Sequence, residues 1–294
     1  MADIIITKES VRYWITETAT GEFHYKDIQS LRSQLTPELD AQLRRIVWGC
    51  CNDVKPIAEP VGRKDGIYRA IQDNAPDIDL SASEDGVDSD LILPFGLRDH
   101  CFLYPDTTTV VAGSKSSGKT EFIYQTVKLN AYKKKIVLLS NLEGGVASLR
   151  DRFKAIGVDV MNQPFQLKNV NDNFHDYIKE KDTLYCIDYI DAPEGTDFYL
   201  IGAQIKKVDQ KLQGLNSNAV IGIQKPSDRD TGFGGEQTLK SATLYIALDH
   251  QHLKLIDVKV PAIKGQHPKN RQWRFTISDN GGGFENITED WGAI

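Results

Sequence analysis

The residues with the clearest chemical use lie at 113–120, GSKSSGKT, where Gly113, Gly118, Lys119 and Thr120 fit the spacing G-x-x-x-x-G-K-[ST]. Glycine lets a backbone approach an anion closely. The N–H groups of Ser114, Lys115, Ser116, Ser117, Gly118 and Lys119 can then surround phosphate at a helix N-terminus, where the helix dipole favours negative charge. The Lys119 ammonium would reach β- and γ-phosphate oxygens, and the Thr120 hydroxyl would bind magnesium. A magnesium nucleotide also requires a carboxylate at the end of a neighbouring strand. Asp188, which follows the apolar run Leu184 to Ile187, supplies it, with Asp191 as the nearby alternative.

Such a loop works only between a strand and a helix, and both are written beside it. The β-branched run TTTVV precedes the loop and KTEFIYQTVKLNAYKK follows it. Further along, KIVLLSN, GGVASLRDRFKAIG, TLYCID, FYLIGAQIKKVDQKLQGL and NAVIGIQ continue the alternation of strand-like and helix-like segments, which predicts a parallel sheet covered by helices.

Four segments in order, VVAGSKSSGKTEF, IVLLSNLEGG, LYCIDYIDAP and NAVIGIQKP, make residues 94 to about 280 similar to the RecA-like ATPases of the RecA and DnaB helicase type. The resemblance implies an α/β fold: a RecA-like parallel sheet with flanking helices and a C-terminal antiparallel extension. It implies that Glu143 orients the attacking water and that Gln224, at a strand end, senses the γ-phosphate. It also implies head-to-tail homo-oligomers in which a Lys-x-Arg pair enters the neighbour's site. Lys264 matches the lysine of that pair, Gln266 stands where the arginine belongs, and Arg271 lies five residues further on. The loop 225–237 takes the place of a mobile DNA-binding loop, with Lys225 and Arg229 to meet phosphodiesters and Phe233 to stack on a base. ATP and Mg²⁺ are the ligands so implied, and DNA the partner, in replication, recombination or repair.

Upstream of this block, residues 73–90 carry seven acidic residues and no Lys or Arg, a composition that reads as a solvated linker. The chain thus divides into a module over 1–72, a linker over 73–93 and the ATPase-like block over 94–294. In the first module Thr36 caps and Pro37 begins a helix whose Leu39, Leu43, Ile46, Val47 and Cys50 fall on one face. A helix over ESVRYWITE, an extended EFHY, a second helix over YKDIQSLR, and two strands around a GRKDG turn complete the module. The order of elements resembles a winged-helix domain. On that resemblance Gln42, Arg44, Arg45 and Trp48 form a recognition face, and Arg63 and Lys64 a wing on phosphate. The alternative is a protein-interaction module, because residues 1–72 carry ten basic and ten acidic residues and so present no excess of positive charge.

The remaining composition narrows the classes. A net charge of -6 argues against a bulk polyanion binder. The apolar runs are far shorter than a membrane span, and the N-terminus lacks the pattern of a signal peptide, so a cytoplasmic protein with no membrane partner is expected. Cys50, Cys51, Cys101 and Cys186 form no C-x-x-C pair and read as reduced structural thiols. His250 and His252 alone share a strand face, too few for a zinc site. Three readings follow: a Mg-ATP-hydrolysing motor or switch acting with DNA; a nucleotide-controlled binding or regulatory protein with little turnover; and a kinase, disfavoured because Glu143 and Gln224 suit water activation and no arginine-rich lid follows.

Overall fold

The computed structural model describes residues 6–19, 21–28, 36–62, 65–71, 80, 87–192, 198–278 and 281–290. Two compact units emerge, Met1–Ser83 and Glu84–Ile294.

The smaller unit is α+β. Helix α1 (Lys8–Glu17) starts at a reciprocal cap between Thr7 and Ser10, and α2 (Pro37–Cys51) starts at Thr36, whose hydroxyl accepts from the Leu39 N–H. Leu43, Val47 and Cys50 of α2 are buried against Val11 and Ile15 of α1, with Leu39 and Ile46 half-buried at the edge of the same core. Strands β1 (Glu22–His24), β2 (Ala58–Pro60) and β3 (Ile67–Ala70) form an antiparallel sheet in the order β1-β3-β2. The helix expected over 25–32 is a 3-10 turn at 25–28, and its remainder lies outside the described residues.

The larger unit is built on a nine-stranded sheet. Its strands are β4 (Thr108–Gly113), β5 (Lys135–Ser140), β6 (Gln166–Asn169), β7 (Thr183–Ile190), β8 (Asn218–Gln224), β9 (Ala242–Asp249), β10 (His252–Val258), β11 (Gln272–Ile277) and β12 (Phe284–Asp290). The spatial order is β12-β11-β10-β9-β4-β8-β7-β5-β6. Strands β9, β4, β8, β7, β5 and β6 run parallel, and β10, β11 and β12 are added antiparallel to their neighbours. Helices α3 (Lys119–Asn130), α4 (Gly145–Ala155) and α5 (Tyr199–Leu212) connect the parallel strands. The expected parallel sheet with flanking helices and a C-terminal antiparallel extension is therefore present.

The physical reason lies in burial. All six residues of β4 are buried, as expected of a central parallel strand covered on both faces. Its alternate side chains divide between two cores. Val111 joins Phe122, Ile123 and Leu138 on one face, whereas Val110 and Ala112 join Ile201, Ile205 and Val208 of α5 on the other. Strand β6, at the sheet edge, was not marked by the alternation of segments: its burial is only partial and its sequence QLKN is mixed.

The acidic stretch does not remain a linker throughout. Leu91 and Leu93 are buried in the larger unit's core, and the Arg98 guanidinium holds Asp88 at 2.7 Å and Asp90 at 2.9 Å. Residues 87–93 thus pack with the larger unit, because two leucines and a shared arginine outweigh the local acidic composition.

Candidate nucleotide site

Parallel strands bring their carboxyl ends to one edge, which is where an open α/β sheet places its ligands. Register decides which ends meet. Gly113 pairs with Gln224 across β4 and β8, and Ser140 pairs with Asp188 across β5 and β7. The glycine-rich loop, Gln224, Asp188 and the segment carrying Glu143 therefore arrive together. They line one cleft of about 910 Å³, which takes in Lys115 to Thr120, Glu143, Asp188 and Gln224.

Within the cleft, Gly118 takes φ +99, a conformation that admits glycine far more readily than other residues, and hands the chain to the first turn of α3. A Cβ on Gly113 would lie 2.3 Å from Lys119 Cγ and 2.4 Å from Ser117 Oγ, so glycine leaves those two side chains their places. The Lys119 ammonium donates to the carbonyl oxygens of Gly113 at 3.1 Å and Ser114 at 3.2 Å. The Thr120 hydroxyl donates to Asp188 Oδ1 at 3.1 Å. These two neighbouring oxygens are the hard donors that magnesium prefers. Ser117 Oγ is buried with no hydrogen-bond partner among the described residues, a polar group aimed at a loop built for anions. The residues present therefore fit a magnesium nucleotide.

Burial shapes the charges. Asp188, 5% exposed, has its carboxyl pushed up to about 6 by desolvation, against the lowering effects of hydrogen bonds from Thr120 and Tyr124 and of the Lys119 and Arg152 cations. Desolvation likewise lowers Lys119, opposed by the carboxylates of Asp188, Glu143 and Asp191. Glu143 is exposed at the cleft rim, and Asn141 Oδ1 accepts its backbone N–H at 3.2 Å. Asp191 is also exposed and accepts the N–H of Ala192 at 2.8 Å, which leaves Asp188 as the carboxylate facing Thr120.

Several cleft residues escaped the sequence reading. Tyr124 stands one helical turn after Thr120 on α3 and lines the cleft together with Asp188; the i, i+4 spacing is the signal that would have found it. Arg152 on α4 and Glu121 on α3 also line the cleft, and burial raises the Glu121 carboxyl. Ile277 and Gly281 come from the far end of the chain, and no local pattern marks them.

Other predicted residues stand elsewhere. Lys225 is not a surface cation: its side chain is 0% exposed and its ammonium pairs with Asp249 at 2.7 Å. Phe233 is not free to stack on a base, because its ring stacks on Phe198 with centroids 4.7 Å apart. Arg229 is exposed, with Asp228 4.0 Å away. Arg44 is turned onto its own module, where its Nε donates to Tyr25 Oη at 2.7 Å and its guanidinium lies 4.8 Å from that ring and beside Asp40 and Asp65. Gln42 is tied to the carbonyl of Ile6. Arg45 and Trp48 are exposed on α2, whereas Arg63 and Lys64 lie outside the described residues. Lys264 is exposed in the connection between β10 and β11, which leaves β10 at the sheet end away from this chain's own phosphate loop. Arg271 enters β11 three strands out from β4 and pairs with Glu289.

All four cysteines are free thiols, three of them buried, and desolvation pushes Cys101 up to about 12. Among the described residues no group of three or more His, Cys, Asp or Glu is placed to hold a metal, and no helix is long and apolar enough to cross a membrane.

No known protein family matches the sequence, and no curated protein does. Among solved structures, the chain is similar to the crystal structure of the RadB recombinase, with 15% sequence identity, a TM-score of 0.45, and coverage of 64% of this chain and 93% of that one.

Proposed function

We propose that the larger unit binds Mg-ATP and hydrolyses it, as a motor or switch that acts with DNA. The observation that carries the reading is the convergence of Lys119, Thr120, Asp188, Glu143 and Gln224 on one cleft at the carboxyl ends of four parallel strands. In this reading the loop N–H groups and Lys119 bind the phosphates. Thr120 and Asp188 would hold magnesium, which when bound would supply positive charge to offset that developing on the transferred phosphoryl group. Glu143, exposed at the rim, accepts a proton from water and directs its oxygen, and Gln224 contacts the terminal phosphate beside the phosphate loop.

The DNA partner rests on the resemblance noted from the sequence and on exposed Arg229 and Arg45; the winged-helix character of the smaller unit rests on its order of elements. Head-to-tail assembly is supported by the position of Lys264 and Arg271, which cannot serve their own chain's phosphate loop. The second reading, a nucleotide-controlled switch with little turnover, is favoured by two features: Arg271 is engaged by Glu289, and Gln266 occupies the place of the finger arginine.

The test is nucleotide binding and phosphate release by the parent chain and by Lys119→Ala, with and without single- and double-stranded DNA. Binding and release that both collapse in the variant support the reading. Equal binding and turnover in the two proteins remove it.

A further inference from the structure

One buried acid in the cleft has no part in holding phosphate or metal. Glu121 follows Thr120 in the first turn of α3, is 7% exposed and lines the same cleft. The helix dipole favours a carboxyl at this end of a helix but gives no reason to bury one. A carboxylate can accept about four hydrogen bonds, and burial makes each unmade bond costly. Among the described residues Glu121 has a single hydrogen-bond partner: Gln125, one helical turn on, whose Nε2 donates to Glu121 Oε1 at 2.9 Å. Burial raises the carboxyl, opposed by that bond and by the charges of Arg152 and Lys128.

The helix sets which end of the cleft this carboxyl serves. Successive side chains on a helix are turned by about 100° from one another, so Thr120 and Glu121 face different ways. Thr120 meets Asp188 of β7. Glu121 and Gln125 lie toward the connection between β11 and β12, where a Cβ on Gly283 would come within 2.9 Å of Gln125 Nε2. The same part of the chain brings Ile277 and Gly281 to the cleft. In the sheet, β11 and β12 stand on one side of β4, whereas β8, β7 and β5, which end at Gln224, near Asp188 and just before Glu143, stand on the other. A nucleotide with its terminal phosphate at Gln224 and Glu143 therefore extends its nucleoside toward Glu121. Ile277 offers an apolar surface there, and Glu121 an acceptor.

We propose that Glu121 is the residue that reads the nucleoside, its carboxyl accepting a hydrogen bond from a donor on the bound nucleotide, either the exocyclic amino group of adenine or a ribose hydroxyl. The proposal rests on the nucleotide reading above and names the part of the ligand that phosphate contacts leave open. Those contacts are common to all nucleoside triphosphates and cannot choose among them. A buried acceptor can, because an analogue without the donor leaves it unpaired in the site. Gln125 takes Oε1, which leaves Oε2 for the ligand.

The experiment uses the full chain with Mg²⁺ and five ligands that undergo no turnover of a terminal phosphate: ADP, inosine 5′-diphosphate, 2′-deoxyADP, 3′-deoxyADP and inorganic pyrophosphate. Binding is measured by calorimetry. In the parent, at least one of the three analogues should bind about ten-fold or more weakly than ADP: the inosine compound if the amino group is read, a deoxy compound if a hydroxyl is. In Glu121→Ala that difference should vanish through a loss of ADP affinity, while pyrophosphate, which has no nucleoside, binds no more weakly than to the parent. A merely structural role would weaken pyrophosphate together with every nucleotide. Glu121→Gln keeps the size and one acceptor but loses the charge, so the difference should narrow; it serves as the readout if the alanine variant does not fold. Equal binding of ADP and all three analogues to the parent overturns the proposal, as does an undiminished difference in either folded variant or a loss of pyrophosphate alongside the nucleotides. A parent that binds neither ADP nor pyrophosphate fails a different claim, the nucleotide reading, and takes this proposal down with it.

Discussion

Asp188 links stability to function in a way that can be measured without any turnover. Its carboxyl titrates at 3.8 when unperturbed and is pushed up to about 6 in the folded protein, chiefly by burial. Below pH 3.8 the group is protonated in both folded and unfolded chains. Between there and about pH 6 the folded protein retains a proton that the unfolded chain has lost, so stability falls as pH rises. A shift of about two units at 1.36 kcal/mol each costs about 3 kcal/mol, fully developed above pH 6. Asp188→Asn removes the charge and keeps the shape. The variant should therefore match the parent near pH 4 and exceed it by about 3 kcal/mol at pH 7. For a unit of this size that corresponds to roughly 6 to 12 °C in the unfolding midpoint. The assay is thermal unfolding of both proteins from pH 4 to 8, read as the difference between them so that all other carboxylates cancel. Mg-ATP should narrow the gap at pH 7, because only the parent gains a cation against its buried charge. Equal midpoints across the range would refute the claim that the site stores an unfavourable charge for its ligand.

Three further outcomes follow from the geometry. Gly113→Ala should fold yet lose nucleotide affinity by at least about ten-fold in a fluorescent-nucleotide titration, since the added carbon would displace Lys119 and Ser117. Glu143→Gln should keep nucleotide affinity while turnover falls by about 10² to 10⁴, the usual worth of a general base; a matching loss of affinity would assign Glu143 to binding instead. Mixing Arg271→Ala with Lys119→Ala should restore phosphate release that neither shows alone, because one chain brings an intact phosphate loop and the other an intact finger. An inactive mixture, with parent activity independent of concentration, would point to the switch that works as a single chain.

What the sequence determined by itself is local. The glycine-rich motif at 113–120 needs only eight consecutive residues, and its flanking strand and helix lie within a few residues of it, so its placement between them could be read directly. The strands ending at Ser140, Asp188 and Gln224 were legible for the same reason: parallel strands buried on both faces are written as continuous apolar runs. Thr36 and Pro37 marked the start of α2 through chemistry confined to one turn. Side-chain destinations were a different matter. Lys225 and Arg44 are cations in sequence, and nothing near them in the chain says that Asp249, or Tyr25 with Asp65, will claim them. Leu91 and Leu93 stand in an acidic stretch, and only a core assembled from distant strands draws them in. Ile277 and Gly281 reach the cleft from the last strands of the sheet. A residue's propensity and spacing act over a turn of helix or a pair of strands, whereas burial and ion pairing depend on which remote groups the topology sets beside it. That second kind of information exists only once the sheet has closed its register.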